Sequence, residues 1–238
     1  MRAPFAAAAL ALVTACTAAP PGAEFNDPYE AQNRRAHAFN QSLDTAVFGG
    51  PGTQKAPFLP APVARGLGNF VSNLRLPGHA LNGVLQARPK TVAQNALRFA
   101  LNSTLGIGGL FDPASVVGLD EVATDFGETL HVWGVPEGAY LELPLAGPTT
   151  ERDLAGKVVD MVINPLNALG EPERSYVLGL TAASKVDDRL RYSDTVDSVL
   201  YGSADSYAQL RLYYLQNRHY KLGIEQEVFD PYADPYGQ

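Results

Sequence analysis

The 238-residue sequence has one cysteine, one tryptophan and four histidines, and no uninterrupted apolar run of the length that crosses a bilayer. A bilayer-crossing helix needs about 18 or more consecutive apolar residues, so no such helix is predicted. The lone cysteine, Cys16, excludes an intramolecular disulfide and any cysteine-based zinc site. His37, His79, His131 and His219 each stand alone, without the H-E-x-x-H spacing of a zinc hydrolase. Neither a P-loop nor a G-x-S-x-G nucleophile turn occurs. A hydrolase assembled from residues distant in sequence stays open, because such sites are defined by geometry. Gly106 and Gly108 form G-x-G, but Phe111 stands where a dinucleotide loop needs a third glycine, after a helix rather than a strand. Asp120, Glu121, Asp125 and Glu128 lack EF-hand spacing and read as a solvated helix face.

Acid is also missing locally. No carboxylate occurs from Thr45 to Phe111, while Lys55, Arg65, Arg75, Arg88, Lys90 and Arg98 punctuate that stretch. Residues 1–111 carry nine Lys/Arg against four Asp/Glu; residues 112–238 carry nine against twenty-one. The net charge of −7 argues against nucleic acid. Cationic side chains that snorkel, with no anion among them, suit an interface of anionic headgroups, and a basic protein-binding face is the alternative.

What is present begins with the leader "MRAPFAAAALALVTAC". Arg2 and a short apolar run from Ala6 form a secretory signal over residues 1–15, and Val13-Thr14-Ala15-Cys16 is similar to a bacterial lipobox. Cys16 is thus expected to be acylated, with residues 16–25 as a Pro-containing tether and Thr17 directing export to the outer membrane. Residues 26–222 read as one mainly helical domain, followed by a tail over 223–238.

Along that domain, "NDPYEAQNRRAHAFNQSLD" predicts a helix capped by Asn26 or Asp27. The Gly/Pro-rich stretch Phe48 to Val63 predicts a connector. Apolar periodicity from Val63 to Leu105 predicts three short helices divided at Pro77 and Pro89, interrupted by Asn69, Asn73, Asn82, Gln94, Asn95 and Asn102. Such helices are interfacial or line something partly wet. Gly106 to Gly109 predicts a tight turn with Ile107, Leu110 and Phe111 at an apolar tip. Thr124 is a candidate cap for the helix through Trp133, Ala139 to Pro148 reads as a short strand or strap, and Thr150 with Asp153 starts another helix. Glu171 to Leu222 is largely helical, with Tyr207, Tyr213, Tyr214 and Tyr220 in its last part.

The blocks "NDPYEAQNR" (26–34) with Phe39-Asn40, "RFALNSTLGIGGLFD" (98–112), "DFGETLHVWGVPEGAYLELPLAGPTTERD" (125–153) and "DSYAQLRLYYLQNR" (205–218) resemble the MlaA (VacJ) family of outer-membrane lipoproteins. The resemblance implies an all-α, ring-shaped monotopic domain with a central amphipathic channel and few or no strands. It would be embedded in the inner leaflet of the outer membrane, facing the periplasm, and anchored through Cys16. It implies removal of phospholipids mislocalised in the outer leaflet, without catalysis, metal or cofactor other than the covalent lipid. Implied partners are phospholipids, trimeric porins and the periplasmic carrier MlaC; a porin-binding scaffold and a lipid hydrolase are the alternatives. Phe39, Asn40, Asn102, Leu105, Gly106, Ile107, Gly108, Gly109, Leu110 and Phe111 fall on the implied channel and membrane hairpin. Two departures stand out. Ala87-Arg88 follows Gln86 where the family usually has Gly-Asp or Gly-Asn, and the connector 48–62 has no counterpart.

Overall fold

The computed structural model describes residues 25–53, 56–164 and 170–224. The signal 1–15, Cys16 and the tether through residue 24, Lys55, and the tail from 225 lie outside the described residues. Nine helices and one hairpin are described: α1 (Glu30–Asp44), α2 (Ala61–Leu85), α3 (Pro89–Thr104), α4 (Pro113–Val116), α5 (Phe126–Val132), β1 (Tyr140–Leu143), β2 (Gly147–Thr150), α6 (Glu151–Ile163), α7 (Glu173–Arg191), α8 (Ser193–Tyr201) and α9 (Ser206–Leu222). A π-helical turn, Thr45–Gly49, extends α1. Among the described residues no helix is long and apolar enough to cross a membrane.

Local chemistry explains most boundaries. Asp112, Asp125, Thr150 and Asp205 each accept a hydrogen bond from the backbone N–H three residues on, satisfying an otherwise unpaired donor. Pro89 and Pro113 occupy first turns, where the missing N–H costs nothing. Gly223, at φ +67°, closes α9 in the left-handed conformation. The strap at Ala139 to Pro148 is a hairpin, with Tyr140 opposite Thr150 and Leu143 opposite Gly147.

Three expectations are corrected. Pro77 does not divide a helix: α2 runs 25 residues through it. Proline deprives the Asn73 carbonyl of its donor, but Asn73 and Leu76 are fully buried beside it, and packing carries the helix across. Neither Asn26 nor Asp27 caps α1, whose first flanking residue is Tyr29. The Asp27 carboxylate instead accepts from Asn33 Nδ2 (2.9 Å), Tyr207 and Arg211. Asp125, not Thr124, caps α5; Thr124 Oγ1 donates to Glu128.

The contacts close a circuit: α2 touches α7, α7 α8, α8 α9, α9 β2, β2 α6, α6 α5, and α5 returns to α2. Helices α5 and α6 approach closely because both present glycine. A methyl group on Gly156 would lie 2.3 Å from Gly127 N. A small hydrophobic cluster of Tyr140, Tyr207 and Leu215, with Phe25 and Tyr214 against it, joins the hairpin to α9.

Candidate membrane face and lipid cavities

In α3 the stripe Thr91, Asn95, Arg98, Asn102, spaced to share one helix face, is buried, whereas Leu97 and Phe99 are exposed. Helix α2 repeats the pattern, burying Asn73 and Asn82 while Val63, Leu81 and Val84 stay outside. Among the described residues twenty polar or charged side chains are buried against nine apolar ones. A water-soluble domain shows the opposite balance, since apolar burial drives its folding. A surface that is apolar over so many residues needs a partner or a membrane.

Most of the buried polar side chains find partners inside, although single atoms such as Asn73 Oδ1, Arg98 Nε and Glu142 Oε2 have none. Asn95 donates to Val122 O (2.9 Å) and accepts from Val122 N (3.2 Å). Asn82 reaches Asp160 (3.0 Å) and accepts from Thr129 (2.8 Å). Asn102, 3% exposed, donates to Asp112 (2.9 Å) and accepts from Ala114 N (3.1 Å). Arg98 Nη2 lies 2.6 Å from Asp112 Oδ2, and Nη1 donates to Ser115 Oγ (2.9 Å) and Leu119 O. With these asparagine and arginine groups bonded internally, the helices can present carbon outward.

That bracing displays the turn after α3. Leu105, Ile107 and Phe111 are 70%, 64% and 60% exposed, and Leu110 is also outside. Gly106 is buried beneath them; a methyl group there would stand 2.4 Å from the carbonyl oxygens of Asn102 and Phe111. Gly109 sits at φ +96° against Asn73, and Ile107 itself adopts φ +53°. Val116 and Val117 of the adjoining segment extend the apolar surface.

Two cavities flank α1 at the hairpin. The first, about 530 Å³, is walled by Leu43, Val47, Val196, Val199, Leu200 and Leu210, with Asp44, Arg189 and Glu142 at its polar side and Asn40 on its lining. The second, about 520 Å³, includes Tyr29, Arg35, Phe39, Leu141 and Leu143. Glu142 lines both. Asn40 pins helix to hairpin, donating to Leu143 O (3.1 Å) and accepting from Leu145 N (2.8 Å). Asp44 holds the Arg189 guanidinium above its ordinary range, with Asp197 adding to the effect.

A family profile described as MlaA lipoprotein matches residues 25–221. The chain belongs to the MlaA lipoprotein family. The intermembrane phospholipid transport system lipoprotein MlaA of Escherichia coli (strain K12) is 33% identical over 198 residues, covering 82% of this chain and 77% of that protein. An uncharacterized protein of Rickettsia typhi, RT0044, is 38% identical over 189 residues, 79% of this chain and 74% of that one. A solved structure reported as the structural basis for maintenance of bacterial outer membrane lipid asymmetry superposes with a TM-score of 0.68 at 30% identity. It covers 82% of this chain and 98% of that one.

Within this MlaA-family fold the residues singled out in the sequence separate into three places. Leu105, Ile107, Leu110 and Phe111 are exposed at the tip. Gly106, Gly109 and Asn102 lie beneath it, and Gly108 stands in open space at φ +69°. Phe39 and Asn40 belong to the two cavities, on α1. Of the interrupting asparagines, Asn82, Asn95 and Asn102 tie their helices to neighbouring segments. The acidic cluster is no solvated helix face: Glu121 faces His79 (3.2 Å), Asp125 pairs Arg218 (2.7 Å), and Glu128 pairs Arg88. No group of three or more metal-ligating side chains is present among the described residues. The sequence reading missed Asp44, Glu142 and Arg189; Asp44 is the last acid before the carboxylate-free stretch, which was the available signal.

Proposed function

We propose that this protein is a lipid-anchored component of the outer membrane that withdraws mislocalised phospholipids from the outer leaflet and passes them to a periplasmic carrier of the MlaC kind. The observation that carries the reading is the inverted packing, with polar side chains buried inside and carbon outside on α2, α3 and the tip. It supports seating in the inner leaflet, because an apolar exterior is favourable there and hydrogen bonds must close internally. The circuit of helices supports a ring around a passage, and the two cavities beside α1 provide apolar walls with a polar side, as a phospholipid requires. Kinship with a protein named for intermembrane phospholipid transport supports the cargo. Cys16 supplies the anchor, and trimeric porins are the expected neighbours in the membrane.

The test is a deletion strain whose surface-exposed phospholipid is quantified by a membrane-impermeant amine label. Accumulation reversed by the wild-type chain is expected; unchanged surface phospholipid would overturn the reading. A porin-binding scaffold without transport predicts that Phe39→Asp leaves both porin co-purification and lipid asymmetry intact, whereas the transport reading expects asymmetry to fail while porin binding holds. Lipid hydrolysis has one observation in its favour: Ser206 Oγ lies 2.9 Å from His37 Nε2, and His37 Nδ1 lies 2.9 Å from Glu142. Ser206 also accepts from Gln41 (2.9 Å), which makes the same atoms a tie between α1 and α9. Fatty acid release from purified protein, abolished by Ser206→Ala, would favour hydrolysis.

A further inference from the structure

Resting on the transport reading, the inference concerns which headgroup the 530 Å³ cavity accepts. Its polar side carries one cation and a surplus of acid. Asp44 takes Arg189 Nε and Nη2 on its two oxygens, each at 2.7 Å, and the same Nη2 also donates to Asp197 at 2.7 Å. Tyr201 adds a hydrogen bond to Asp44 (3.0 Å). These side chains retain 13–18% exposure, so the group is sheltered yet reachable. Arg189 Nη1 makes no hydrogen bond within the described residues. The third charged residue on the lining, beside Asp44 and Arg189, is Glu142, 1% exposed at its side chain; its Oε1 faces His37, and its Oε2 has no hydrogen-bond partner.

We infer that this cavity selects a zwitterionic phospholipid carrying a primary ammonium, such as phosphatidylethanolamine, over anionic phosphatidylglycerol. One positive group against Asp44 and Asp197 leaves the cluster net negative before Glu142 is counted. An anionic headgroup adds a further negative charge beside that surplus in a low-dielectric wall, where Coulomb repulsion is poorly screened. An ethanolamine headgroup brings both halves of a match: its phosphate can take the unclaimed Nη1 edge of Arg189, and its ammonium supplies the donor and positive charge that the carboxylates lack. The acyl chains then lie along Leu43, Val47, Val196, Val199 and Leu200. Such rejection by like charge gives discrimination without any loss of the shared apolar contacts.

The experiment incubates the purified full-length lipoprotein with mixed micelles of equimolar phosphatidylethanolamine and phosphatidylglycerol, repurifies it, and measures bound lipid by mass spectrometry. The wild-type chain should retain phosphatidylethanolamine at least about three-fold over phosphatidylglycerol. Asp197→Asn, which removes one acid and leaves the two-fold Asp44–Arg189 pairing, should bring the ratio toward unity. Asp188→Asn, outside the Asp44–Arg189–Asp197 cluster, should keep the wild-type ratio. Bound lipid in the proportions supplied, or enriched in phosphatidylglycerol, overturns the selectivity while leaving transport standing. No bound phospholipid at all overturns the transport reading and this inference with it.

Discussion

Gly109 packs so tightly on Asn73 that a methyl group at Gly109 would stand 2.6 Å from Asn73 Cβ. The apolar turn is thus clamped to α2 by backbone contact, with Asn73 Nδ2 donating to Ser103 Oγ (3.1 Å) on the α3 side. Gly109→Ala must clash and also hold an L residue at φ +96°. A loss of about 2–4 kcal/mol is expected from overpacking and strain together. Gly108→Ala, at φ +69° with open space around it, should cost only about 1–2 kcal/mol. Thermal melts in detergent, followed by circular dichroism, check the order.

Ala87 offers the reverse case. It adopts φ +55° at the end of α2, where Arg88 N donates to Gly83 O (2.9 Å) across a left-handed helix terminus. Glycine is favoured at that position, so Ala87→Gly should stabilise the protein by about 1 kcal/mol. An unchanged or lowered melting temperature would show that the residue is unstrained there.

Arg98 and Asp112 form a sheltered pair under the tip. Removing one partner strands the other charge, so Arg98→Met should cost roughly 3–5 kcal/mol. The double change Arg98→Met, Asp112→Asn should recover part of that loss, because no unpaired charge remains. Denaturant titration of these two variants and of Asp112→Asn alone measures the coupling.

Asp205 has its pKa lowered to about 2, first by the Arg34 hydrogen bond and then by Ala208 N. Its folded value lies below its unfolded value, so its contribution is complete above about pH 4 and disappears as pH falls toward 2. Both partners are nearly half exposed, which limits the effect to under about 1 kcal/mol. Asp205→Asn can still cap α9. It should melt slightly below wild type at pH 6 and coincide with it near pH 2.

The exposed tip, the Thr150 cap and the break at Pro89 were legible in the sequence because glycine clusters, capping residues and proline position are local signals. Gly106 to Gly109 announced a turn, and bare Ile107, Leu110 and Phe111 announced its chemistry. Pro77 misled because the forces carrying α2 past it, the burial of Asn73 and Leu76, come from distant elements. Asp27 misled for the same reason. A carboxylate before a helix normally caps it, yet here Tyr207 and Arg211, some 180 residues away in sequence, claim it. Nor does periodicity reveal which stripe of an amphipathic helix faces inward. Asn95 and Asn102 read as interruptions until their partners, Val122 and Ala114, were in place. The cavity cluster of Asp44, Arg189 and Glu142 joins three separated segments and carries no shared motif.

In the proposed seating, the turn after α3 sits among acyl chains. A Cys16→Ser, Leu110→Cys protein carrying a fluorophore at residue 110, reconstituted into vesicles containing lipids brominated at defined chain depths, tests this directly. Strong quenching by chain-brominated lipid, with little quenching by aqueous iodide, is the predicted result. Ready quenching by iodide and none by brominated chains would place the tip in water and contradict the account.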